Sequence, residues 1–103
     1  MKIILADLES WLDIRLAGNE RDVAESIIEA VNVTVTKWHG DPDTWEKRFH
    51  TGAVMLAAHL WHRRGTPGGV TAFGDEGRLY VQKHDPQAAM LLGLGGWTIP
   101  RVG

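Results

Sequence analysis

Val31-Asn32-Val33-Thr34-Val35-Thr36 decides the fold of this chain, because it can be read in two ways. Its β-branched residues alternate at the period of a strand, and such side chains lose rotamer freedom inside a helix. A wider window favours the helix. Val23, Ile27, Val31, Val35 and Trp38 trace one apolar stripe whose four-residue spacing runs unbroken through the ambiguous stretch. Asn19 can cap the start, with Asp22 at the third helical position, where a carboxylate suits the positive helix end. Gly40, after Lys37 and His39, supplies the stop. The spacing therefore predicts one long helix that contains the strand-like run.

Working outward, Asp41-Pro42-Asp43-Thr44 reads as a turn, and Asp43 followed by Glu46 fits a capping box opening a further helix. Trp45, Phe49, Ala53, Leu56, Ala57 and Leu60 form its apolar stripe, while Gly52, Ala53, Ala57 and Ala58 are small enough to admit a neighbouring helix closely. Arg63 and Arg64 suit its negative end, and Gly65 stops it. Two helices of similar length joined by a short turn should pack as an antiparallel pair. Upstream, Leu5, Leu8 and Leu12, with Trp11 beside them, predict a short amphipathic helix around residues 5–13, with Gly18 as a break.

The pattern changes after Gly65, and eight of the twelve glycines lie in residues 66–103. Residues 70–73 and 78–82 are β-like runs around Gly74-Asp75-Glu76-Gly77, which predicts a small hairpin or extended loop. Asp85-Pro86 then places a capping carboxylate before a proline at the first helical position, starting a short helix that runs through Leu92 and ends at Gly93. The expected fold is thus a single mainly α domain over residues 1–103. It comprises an antiparallel pair of long helices, short N- and C-terminal helices, and a hairpin or loop before the last one.

At 103 residues and 44% hydrophobic content, one small core is possible, and partners can supply part of the stability. The absence of cysteine excludes disulfides and thiolate metal ligands. Asp7 interrupts the apolar start too early for a signal peptide, and no stretch approaches the roughly twenty apolar residues of a membrane span, so a soluble, unexported protein is expected. Charge is uneven. Residues 1–30 carry seven acidic side chains against three basic ones, whereas residues 31–65 carry five basic against three acidic. Two such halves can attract one another head to tail between copies, although solvated helix faces give the same pattern.

Chemical motifs are sparse. His59 and His62 lie three residues apart on a predicted helix, the spacing of a metal-ligand pair, but only the distant His39, His50 or His84 could complete a site; helix-end imidazoles explain them equally. Trp61, His62, Arg63 and Arg64, with Lys83 and His84, could meet phosphates and stack a base, and helix-end capping accounts for the same residues. Gly93-Leu94-Gly95-Gly96 follows a helix and runs into a tail, the reverse of a phosphate loop's context. Ser10 and Ser26, the only serines, have no positioned base, so neither catalytic residues nor a cofactor are expected. Trp97, glycine-flanked and followed by Ile99, belongs to no helix face and suits either a contact between chains or a fold back over its own core.

Thr66-Pro67-Gly68-Gly69-Val70-Thr71-Ala72-Phe73-Gly74, Asp85-Pro86-Gln87-Ala88-Ala89 and Leu91-Leu92-Gly93-Leu94-Gly95-Gly96-Trp97, preceded by the helix ending Ala57-Ala58-His59-Leu60-Trp61-His62-Arg63-Arg64, resemble the head–tail connector family of tailed bacteriophages. These are the adaptor, or head completion, proteins beneath the portal. The resemblance implies a non-enzymatic virion protein assembled in the host bacterial cytoplasm and placed at the head–tail interface. It would form a homo-oligomeric ring matching a dodecameric portal, meet a tail-side stopper or tail-terminator protein, and let packaged DNA pass without sequence-specific binding. Phe73, Gly74, Asp75, Glu76, Gly77, Trp97 and Ile99 become the expected protein-interface residues. The alternative is a small helical DNA-binding or regulatory protein that uses the cluster at residues 61–64; a metal enzyme on His59 and His62 is a third possibility.

Overall fold

A computed structural model describes residues 1–65 and 77–94, and among them every regular element is helical. The order is α1 (Leu5–Leu12), α2 (Gly18–His39), a 3₁₀ turn (Pro42–Thr44), α3 (Lys47–His62), α4 (Gly77–His84) and α5 (Pro86–Leu91). The long helices α2 and α3 form the expected antiparallel pair. α3 lies at the centre, packed against α1, α2 and α5.

The ambiguous valine run is helical throughout. Val31 and Val35 enter the core with Ala24, Ile27 and Ile28, so the four-residue spacing prevails over the local strand alternation. The stripe is displaced from the expected one at its start, where Val23 is exposed and Ala24 is buried in its place. The helix also opens without the predicted cap. Leu16 donates its backbone N–H to Glu9 Oε2 at 2.8 Å and is buried, and Gly18, at φ +62°, turns the chain into α2 behind Ala17. A backbone turn thus replaces the side-chain cap, and Asn19 falls inside the helix.

The capping box at Asp43 and Glu46 does not form. Asp41 instead accepts from the Asp43 N–H through its carboxylate at 3.0 Å and, through its carbonyl, from Thr44 N–H and Oγ1, closing a single 3₁₀ turn with Pro42 at its head. Trp45 then returns to extended backbone and folds its indole back, donating to the Gly40 carbonyl at 3.0 Å, so α3 begins only at Lys47. Its stripe is as expected: Trp45, Phe49, Ala53, Leu56, Ala57 and Leu60 are all buried. The small residues admit α5. A Cβ on Gly52 would lie 2.8 Å from Leu92 Cγ and 3.1 Å from Leu91 Cβ, so the approach requires glycine.

Residues 78–82 are not the second arm of a hairpin. They belong to α4, which carries Lys83 and His84 at its negative end and buries Val81 completely, while Gln82 Nε2 donates to the Leu94 carbonyl at 2.5 Å. Docking of one apolar side chain onto the α5 unit outweighs the short β-like pattern. The first arm, residues 70–73, lies outside the described residues. α5 matches expectation closely: Asp85 Oδ1 accepts from Ala88 N–H at 3.1 Å, Pro86 occupies the first turn, and Gly93 stands at φ +73°. The Gly93 N–H donates to the Met90 carbonyl and that of Leu94 to the Ala89 carbonyl, the two bonds of a Schellman motif, and Leu94 is buried beside them.

Candidate functional site

Each histidine that could have served a reaction is engaged in holding helices together or sits beside basic neighbours. His39 stacks on Phe49, with ring centroids 3.8 Å apart at 9°, and its Nε2 meets the Leu92 carbonyl, tying the end of α2 to α5. His50 Nε2 lies 3.4 Å from Asp7 Oδ2, linking α3 to α1. His59 and His84 face one another at 6.5 Å between ring centroids. Burial lowers the pKa of His59, Arg63, His84 and His62 push the same way, and Asp85 opposes them. Among the described residues no group of three or more potential ligands comes together to hold a metal ion.

Within the cluster at residues 61–64 the indole is turned inward, while His62 and Arg64 stay exposed. Trp61 is only 4% exposed, and the Arg64 guanidinium lies 3.7 Å over its ring while donating to the Trp61 carbonyl at 2.7 Å. The indole therefore presents no open face on which a base could stack. Arg64 also approaches Glu20 at 3.6 Å, so acid from the first thirty residues and base from the middle of the chain meet within one copy here, as they do at Asp7 and His50. Such partly exposed pairs contribute little to stability.

Of the residues expected to form a protein interface, Phe73, Gly74, Asp75, Glu76, Trp97 and Ile99 lie outside the described residues, and Gly77 is the first residue of α4. The described residues carry another apolar surface that the stripes did not indicate. Trp11, which the sequence places beside the α1 stripe, is 51% exposed, because it sits about a quarter turn from Leu5, Leu8 and Leu12 on a helix with only one buried side. It borders a hollow of about 250 Å³ with Asp7, Ser10, His50, Thr51 and Val54.

A larger groove, of about 410 Å³, runs between residues 2–5 and α2. Its backbone wall is fixed by Asn32, whose Oδ1 accepts from the Ile3 N–H and whose Nδ2 donates to the Ile3 carbonyl, both at 2.9 Å. This bidentate clasp buries Ile3 and leaves its neighbour Ile4 outside, at the groove with Val33, which is 51% exposed. Glu25 and Glu29 line it with Lys2; Arg21 pairs with Glu25 at 2.8 Å, and Glu29 has no ion pair among the described residues. The available signal was the in–out alternation of Ile3 and Ile4 and the presence of Val33 off the α2 stripe.

No helix among the described residues is long and apolar enough to cross a membrane. Compared with known families, with characterised proteins and with solved structures, the chain shows no match.

Proposed function

We propose that this chain is a structural head–tail connector that assembles as a ring beneath a phage portal, extends the DNA channel and joins the filled head to a tail-side protein. The observation that carries this reading is the division of labour among its side chains. His39, His50 and the Trp61–Arg64 pair are spent on internal contacts, and His59 and His84 on one another, while large apolar side chains at Ile4, Trp11, Val33 and Met90 remain at the surface. Surfaces of that kind serve protein partners. The motif resemblance supplies the identity of those partners: sister copies, a portal and a stopper or terminator. Buried Trp61 also weighs against the alternative, a nucleic-acid binder that stacks bases on this indole.

The test is reconstitution. Phage particles made without the chain should accumulate as DNA-filled heads and separate tails, and addition of the purified protein should join them. Joined, infectious particles formed in its absence would overturn the reading.

A further inference from the structure

We infer that His59 on α3 and His84 on α4 together take a divalent transition-metal ion of the zinc class, which fastens α4 to α3. The inference stands apart from the connector reading and does not need it. Imidazole nitrogen is a preferred donor for such ions, and a pair contributed by two helices ties them only when both rings reach one point. The rings here lie 6.5 Å apart between centroids, with their planes 31° from parallel. A zinc–nitrogen bond of about 2.05 Å, added to roughly 1.15 Å from nitrogen to ring centre, puts two rings on one ion about 5.2 Å apart at the tetrahedral angle and about 6.4 Å apart in line. The pair therefore stands at the edge of that range and has to close by about 1.3 Å to become tetrahedral. His84, the exposed last residue of α4, can make that adjustment through its side-chain torsions while the half-buried His59 stays in place.

Burial holds His59 below the ordinary pKa of histidine, so at neutral pH its ring is uncharged and gives up no proton on coordination. The charged groups around it do not turn a cation away. Asp85 bears on His59 more strongly than Arg63 does, and His62 adds positive charge only when protonated. Among the described residues no third histidine, aspartate or glutamate joins the pair, so water completes the shell. The ion is therefore exchangeable, unlike one locked in a closed four-ligand site.

Such a link has a mechanical use in this fold. α4 rests on α5, and α5 rests on α3. Buried Val81 and the bond from Gln82 to the Leu94 carbonyl hold the middle of α4, whereas its end presents Lys83 and His84 to solvent. An ion shared by His59 and His84 closes the third side of the triangle at that end.

The test is urea unfolding of the full chain near neutral pH, first stripped with a chelator and then titrated with Zn²⁺. At a Zn²⁺ concentration ten times the dissociation constant that the titration yields, the ratio of folded to unfolded chain should rise about tenfold. His59→Gln and His84→Gln should each remove the rise, and His62→Gln should keep it. His84→Gln carries the decision if His59→Gln fails to fold, because His84 is exposed and its replacement should leave the helical circular-dichroism spectrum unchanged. No rise in the parent, a rise that survives in His84→Gln, or an equal rise with Mg²⁺, which prefers oxygen ligands, would overturn the assignment. Loss of the rise in His62→Gln would place the ion on α3 alone and overturn it as well.

Discussion

Two faces of α2 carry the same residue type to opposite ends. Val31 is completely buried against the core, whereas Val33, half a turn away, is 51% exposed beside the groove. The first face meets α3, whose stripe was shaped to receive it, and the second meets only residues 2–5 and leaves apolar surface over. The difference teaches that burial in this chain is governed by which face has a partner within the fold. The surplus face is where a partner from outside has something to gain.

The sharpest way to break the contrast is to hollow the filled side. Leu56→Ala removes a fully buried side chain from the middle of α3 and should cost about 2–5 kcal/mol, read as a lowered urea midpoint with little change in slope. If Leu56→Ala is nearly neutral, the α3 centre is not the organising core. Overfilling comes next. Gly52→Ala places a methyl 2.8 Å from Leu92 Cγ, on a helix side whose neighbour α5 is held by its own Schellman turn, and should cost about 1–3 kcal/mol despite the better helix propensity of alanine. A stabilised variant would mean that α5 can retreat from α3.

The contrast itself is measured by two conservative changes on one helix. Val31→Ala deletes buried methyl groups and should lose about 1.5–2.5 kcal/mol by the usual value per buried carbon. Val33→Ala should stay within about 0.5 kcal/mol of the parent, as exposed substitutions do. Equal losses would show that the groove face is packed in the folded chain and not available to a partner.

How much of this was legible beforehand depended on the range of the forces involved. The α3 stripe and the Asp85–Pro86 start and Gly93 stop of α5 were readable, because spacing and local capping chemistry fully determine them. Boundaries set by competing side-chain contacts were not. Leu16 held by Glu9 displaced the start of α2, Asp41 closed the turn read at residues 41–44 in place of a capping box at Asp43 and Glu46, and residues 78–82, a β-like run, joined a helix that buries Val81. Trp11 failed for a further reason: a short helix with one stripe has flanks, and an indole there resembles core in sequence. The groove was hidden because it depends on Asn32 clasping Ile3 across twenty-nine positions of chain.

The smallest effect concerns His59, and it distinguishes a partly buried structural imidazole from a poised functional one. Burial lowers its pKa in the folded chain, assisted by Arg63 on its own helix, His84 across from it and His62, and opposed by Asp85. In the unfolded chain the ring titrates near its ordinary value of about 6.5. Above that pH both states hold it neutral and it costs nothing. As pH falls through that value, the unfolded chain takes up a proton that the folded one refuses, so stability declines and then levels off below the depressed folded value. Urea unfolding at pH 8 and pH 5.5 should show this loss, and His59→Gln should reduce it while keeping the parent's stability at pH 8 within about 1 kcal/mol. An unaltered pH dependence in His59→Gln would move the titration to another group. A steeper one would mean that His59 is charged in the folded protein, held by Asp85, and would deprive a metal bridge to His84 of its neutral ligand.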